Sequence, residues 1–210
     1  MNIKVCGITQ MQQLIELDEI GIDFAGLNFY ERSPRFVQGK LNGSEVIVAD
    51  LDIRKVGVFV NESESNILRT IEEFNLDAVQ LHGDEKPAFC RRLAEKTEVI
   101  RTFRITSATT SLEDVIQPFD DACDYYLFDT GGQSESLGGT GQQFDWNVLQ
   151  KSRIEKPFFL AGGIGLADVA RVKSFKHPDL FAVDLNSRFE INPGIKDMDL
   201  VRMFAQVLKN

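Results

Sequence analysis

Histidine occurs only twice and cysteine three times in this sequence of 210 residues. Two histidines and scattered cysteines offer no metal-ligand spacing, so no metal site is expected. Cys6, Cys90 and Cys123 are an odd number without close spacing, which points to reduced thiols in the cytoplasm rather than a disulfide framework. No apolar run approaches the length of a membrane span. Strand-like, acidic sequence begins almost directly after Met1, so no signal peptide is expected. Positive charge is short as well. Lys and Arg total 23 against 32 Asp and Glu, a net charge of −9, which argues against nucleic acid or an anionic membrane as partner. A small anionic ligand stays open, because helix N-termini and single arginines bind phosphate inside a negative protein. No linker or composition shift divides the chain, and residues 1–210 read as one domain long enough for a substantial core.

What is there begins with Ile3-Lys4-Val5-Cys6-Gly7-Ile8-Thr9. Period-two alternation puts Lys4 and Cys6 on one face of a strand and Ile3 and Val5 on the other. Gly7 and Thr9 then let the chain turn. A helical stripe follows from Met11 to Ile20, closed by Gly21. Further strands are expected at 24–29, 56–60, 78–82, 99–105, 125–129, 158–161 and 180–185. The helices between and after them are expected at 41–51, up to Phe74 behind an Asn61 cap, 87–96, 112–122, a short one opened by Phe144-Asp145-Trp146, 166–175 and 197–208. The long glycine-rich stretch from Gly131 to Gln143 is the one connection that is not lean, and a mobile active-site cover is expected there.

Eight strand–helix units in strict alternation mean a parallel sheet, and eight strands close a barrel. The expected fold is therefore α/β, a single (βα)8 TIM barrel, with an open doubly wound sheet as the alternative. The carboxyl ends of the strands then gather at one mouth and carry Cys6, Asn28, Val60, His82, Phe103 or Arg104, Asp129, Gly162-Gly163 and Asn186-Ser187. Cys6 reads either as a reactive thiol or as a small buried hydrophobe. Asp129 reads as a functional carboxyl or a cap for the next segment. His82 reads as a substrate contact or as a hydrogen-bonding group for the loop of Asp84 and Glu85. Gly162, Gly163, Asn186 and Ser187, after the seventh and eighth strands, stand where such barrels bind phosphate, and glycine backbones approach oxygens closely.

The stretches Lys4-Val-Cys-Gly-Ile-Thr9, Ser33-Pro-Arg35, Val56-Gly-Val-Phe-Val-Asn61, Gln80-Leu-His-Gly-Asp84, Asp129-Thr130, Gly138-Gly-Thr-Gly141 with Phe144-Asp-Trp146, Leu160-Ala-Gly-Gly163 and Pro193-Gly-Ile-Lys-Asp197 resemble, in order, the phosphoribosylanthranilate isomerases of tryptophan biosynthesis. The resemblance implies a cofactor-free Amadori rearrangement of a small phosphorylated substrate. It further implies Cys6 as general base, Asp129 as general acid and Arg35 as the grip on the anthranilate carboxylate. The chemistry needs such a pair, because an acid must open the furanose ring and a base must take the C2 proton. Two departures stand out. Asn186-Ser187-Arg188-Phe189-Glu190 replaces the usual Ser-Ser-Gly-Val-Glu, and Gln142 stands where a lysine is common. A sugar-phosphate isomerase of histidine biosynthesis would carry aspartate at Cys6. An epimerase of ribulose phosphate would need metal-binding histidines, and an idle phosphate-binding barrel would be expected to lose Cys6 or Asp129. A monomer or homodimer is expected.

A thiol is a weak base at neutral pH unless its pKa is lowered. Lys4 shares the Cys6 face, and barrel closure puts Asp184 of the eighth strand beside it. An interior Lys4–Asp184 ion pair under Cys6 is expected; in the alternative, Lys4 leans out of the barrel's bottom.

Overall fold

In the computed structural model, residues 1–106, 109, 111–131 and 143–209 are described. The expected glycine-loop features at Gly138–Gly141 and Gln142 lie outside them. The eight expected strands are present: β1 (Asn2–Cys6), β2 (Phe24–Asn28), β3 (Arg54–Phe59), β4 (Ala78–Leu81), β5 (Glu98–Ile105), β6 (Tyr125–Thr130), β7 (Phe158–Leu160) and β8 (Leu180–Leu185). All pair in parallel with their sequence neighbours, and β1 pairs with β8 to close the barrel. No helix among the described residues is long and apolar enough to cross a membrane.

Alternation divides each strand between two environments. Ile3, Val5, Ala25, Leu27, Val79 and Leu81 point outward into one shell shared with the helices. Phe24, Val56, Ala78, Ile100, Leu127, Phe159 and Ala182 point inward and plug the lower barrel. Each fully buried Val, Leu, Ile or Phe among them contributes about 1.5–3 kcal/mol. Above that plug the inward positions turn polar, and the functional residues begin.

The helices are α1 (Met11–Glu19), α2 (Gly43–Val48), α3 (Glu64–Phe74), α4 (Pro87–Ala94), α5 (Leu112–Ile116), α6 (Asn147–Lys151), α7 (Val169–Ser174) and α8 (Met198–Lys209). Several are shorter than their apolar patterns suggested. Pro118 tightens the end of the fifth expected helix into a 3₁₀ turn over Gln117–Phe119, because proline lacks the N–H that an α-helix needs there. Asn61 is not the cap of α3. Ser63 takes that role, its hydroxyl accepting from Asn66 N at 3.3 Å. Asn61 instead sits at φ 51° and accepts from Asp84 N at 2.7 Å, tying the ends of β3 and β4 together. An antiparallel hairpin after β8, β9 (Glu190–Asn192) with β10 (Ile195–Lys196), is an addition to the expected elements. It folds back over the mouth.

Candidate active site

The mouth holds a cavity of about 570 Å³ lined by Cys6, Arg35, His82, Asp129, the Gly162-Gly163 turn and the Asn186–Arg188 segment, among others. Every candidate residue from the sequence lies on this one cavity.

Cys6 ends β1 and is almost fully buried. Its neighbour across the sheet is Gly26, where an added Cβ would lie 2.7 Å from Sγ. An isolated glycine inside a strand marks such a close approach, which makes Gly26 a space-making residue of the site that the strand pattern itself signals. Beneath the thiol, Lys4 stands directly opposite Asp184 in the β1–β8 register. Their side chains form a 3.0 Å ion pair with Lys4 wholly buried. The expected interior pair is present, and Lys4 does not lean out of the bottom. Burial alone would lower the Lys4 pKa, but Asp184 and Cys6 outweigh it and hold the ammonium above the usual lysine value. For Cys6, burial pushes the thiol up, Lys4 and Lys196 pull it down, Asp184 adds to the rise, and the net direction is up. The ion pair thus eases the thiolate without making it the resting form.

On β6, at the mouth, lies the Asp129 carboxyl. Burial raises it to about 6, Asp184 adds to the rise, and the Thr130 N–H and the charges of Lys4 and Arg104 oppose it. Its Oδ1 accepts from Thr130 N at 2.7 Å. Its Oδ2 faces His82 Nε2 at 3.8 Å. The His82 ring is thus turned into the cavity, where Nδ1 meets Gln80 Nε2 at 3.1 Å. The alternative role for His82, in the loop of Asp84 and Glu85, is taken by other groups. Glu85 accepts from Asn61 N, Gly83 N and Arg101 Nη1. Burial, followed by the charges of Arg104, Lys4 and Arg101, lowers His82 to about 3 and leaves the ring neutral.

Arg35 is not a solvated loop charge. Its Nε and Nη2 donate to the two oxygens of Glu190 at 2.8 and 2.6 Å, a bidentate pair of the kind that fixes a guanidinium plane. Gly7, at φ +82°, lets Arg35 lie across β1, since a Cβ there would be 2.5 Å from Arg35 Cδ. Glu190 also accepts from Lys196 Nζ at 2.8 Å, and the same ammonium donates to Asn186 Oδ1 at 2.8 Å. Glu190 and Lys196 were missed as site residues because they come from the unanticipated hairpin, although Lys196 falls in a stretch that carried the family resemblance and Glu190 closes the stretch that departs from it. Gly162 and Gly163 both have positive φ, 93° and 63°. A side chain at Gly162 would collide with Thr130 Oγ1 at 2.2 Å. Gln143 clamps this corner, its Nε2 donating to Gly163 O and Asp168 Oδ2 at 3.1 and 2.8 Å. Arg188 is exposed on the rim.

The family model described as N-(5'phosphoribosyl)anthranilate (PRA) isomerase matches residues 3–207. The N-(5'-phosphoribosyl)anthranilate isomerase of Parabacteroides distasonis is 38% identical over 208 residues, covering 98% of this chain and 92% of the relative. A solved phosphoribosyl anthranilate isomerase in complex with reduced 1-(o-carboxyphenylamino)-1-deoxyribulose 5-phosphate superposes with a TM-score of 0.77 at 30% identity, over 99% of this chain and 98% of that one. Monomers generated from the dimeric enzyme of Thermotoga maritima superpose at 0.78, 30% identity and the same coverage. With the match running through nearly the whole barrel, this chain belongs to the N-(5'-phosphoribosyl)anthranilate isomerase family.

Proposed function

We propose that this chain is a phosphoribosylanthranilate isomerase, converting N-(5'-phosphoribosyl)anthranilate to 1-(2-carboxyphenylamino)-1-deoxyribulose 5-phosphate without a cofactor, in the tryptophan pathway of the cytoplasm. Residues 1–210 act as one barrel domain, as a monomer or homodimer. The observation that carries the reading is that Asp129, a buried carboxyl raised to about 6, shares one cavity with Cys6 above a buried lysine. Asp129 protonates the furanose ring oxygen, the C1–O bond breaks and an iminium forms. The Cys6 thiolate then takes the C2 proton, and the electron pair of that C–H bond neutralises the iminium to an enolamine, which tautomerises to the ketone. The free edge of the Arg35 guanidinium, whose other edge is held by Glu190, takes the anthranilate carboxylate. Gly162, Gly163, Asn186 and Ser187 take the phosphate, and His82 contacts the sugar. Growth of a tryptophan auxotroph lacking this isomerase tests the assignment: rescue supports it, and failure of a well-expressed chain overturns it.

The ionisation of the pair predicts a pH profile. Working enzyme needs a thiolate and a protonated carboxyl, whereas the empty site near neutrality holds a thiol and a carboxylate. The two forms carry the same number of protons, so their ratio does not change between the two pKa values. The expected kcat/KM is therefore flat through neutrality and falls about tenfold per pH unit below about 6, where Asp129 gains a second proton for the pair. A kcat/KM that rises as pH drops from 7 to 5 would contradict it.

The phosphate assignment predicts competitive inhibition by inorganic phosphate or sulfate. A crystal soaked in either ion is expected to show it at the backbone N–H groups of Gly163 and Ser187. Density confined to Arg35 would move the phosphate to the other side of the mouth.

A further inference from the structure

His82 Nε2 is buried and has no hydrogen-bond partner among the described residues. It is aimed at Asp129 Oδ2 from 3.8 Å. Such a buried orphan is costly in a resting protein and calls for a partner that arrives during function. On the same inward face one position pair below, Gln80 is almost fully buried. Its amide nitrogen lies 3.1 Å from His82 Nδ1 and 3.1 Å from Thr102 Oγ1. One NH2 group has two hydrogens, so Gln80 can donate to Thr102 Oγ1 and also to Nδ1 when that nitrogen carries no proton.

We propose that Gln80, braced by Thr102, fixes the neutral His82 ring in its Nε2–H tautomer, so that the ring donates to Asp129 once Asp129 has given up its proton. The inference deepens the isomerase reading and rests on it for the role of Asp129. In the empty site the 3.8 Å separation is too long for a hydrogen bond between Nε2 and Oδ2. When the carboxylate forms on ring opening, a small closing movement makes an N–H···O bond to it. A neutral donor suits this task. An imidazolium in the same place would hold Asp129 ionised and spoil it as an acid, and the charges of Arg104, Lys4 and Arg101 together with burial keep the ring uncharged. The other tautomer would set the Nε2 lone pair against the carboxylate and repel it. Gln80 is thus a positioning residue that acts through His82.

The chain contains only His82 and His177, so histidine labelled with nitrogen-15 at both ring nitrogens gives a readable proton–nitrogen correlation spectrum, assigned with His177→Gln. Recorded without substrate, wild-type His82 is expected purely as the Nε2–H tautomer. Gln80→Glu, whose carboxylate only accepts, is expected to move the proton to Nδ1. Gln80→Leu is expected to mix the tautomers and to lower kcat about tenfold with KM changed less than about twofold, the loss of one hydrogen bond felt in the transition state. An Nδ1–H tautomer in the wild type, an unchanged tautomer in both variants, or a wild-type kcat in Gln80→Leu with a changed tautomer would each overturn the proposal. A wild-type protein inert towards the substrate would defeat the isomerase reading separately, because the spectrum needs no turnover.

Discussion

Asp129→Asn is expected to bind substrate with little change and to lose about 10²–10⁴-fold in kcat, the usual worth of a positioned proton donor. Asparagine keeps the acceptor that the Thr130 N–H uses at 2.7 Å but has no proton to give. The same variant should be more stable than wild type at neutral pH. The folded pKa of Asp129 is about 6 against an ordinary 3.8, so burial disfavours its ionised form, and the folded state loses stability as pH rises through that interval. Loss of activity together with a higher Tm separates chemistry from folding. Cys6→Ala should show a loss of kcat of similar size. Cys90 and Cys123, buried thiols pushed up to about 11 and about 12 outside the mouth, should tolerate alanine with kcat near wild type. Equal losses for all three cysteines would mean that packing is being measured.

Lys4→Met is the variant with the largest expected effect on the fold. It keeps the length of the side chain and leaves the Asp184 carboxylate buried without its 3.0 Å partner. Breaking a buried pair from one side costs about 3–5 kcal/mol. Denaturant unfolding should show that loss at pH 7 and a smaller one near pH 5, because an unpaired buried carboxyl is readily neutralised by protonation. Lys4→Met with Asp184→Asn should recover part of the stability, since no lone charge remains. The Cys6 alkylation pKa should rise in Lys4→Met, the ammonium being a cause that lowers it. Unchanged stability and an unchanged thiol would remove Lys4 from the account.

The barrel was legible because eight apolar strands alternate with helical stripes, and period two placed Lys4 on the same strand face as Cys6. The pairing of Lys4 with Asp184 then followed from closure, which makes β8 the neighbour of β1. Helix ends were less legible, since they turn on local chemistry. Ser63 outcompeted Asn61 as a cap because the chain still has to leave β3, and Pro118 shortened α5. The network of Arg35, Glu190, Lys196 and Asn186 was not legible. It depends on a hairpin whose strands hold five residues, too short for any periodicity to register, and it joins positions 35 and 190 only through the fold. The orientation of His82 was hidden for a similar reason. Its partner Gln80, and Thr102 behind that, are ordinary polar residues until the barrel turns them inward together.

The most direct test of the account is turnover of N-(5'-phosphoribosyl)anthranilate by the purified chain, without added metal or cofactor, followed by identification of the product. The account predicts 1-(2-carboxyphenylamino)-1-deoxyribulose 5-phosphate, formed by wild type and lost in Asp129→Asn and Cys6→Ala. No conversion by a folded wild-type protein, or conversion that survives both substitutions, would contradict it.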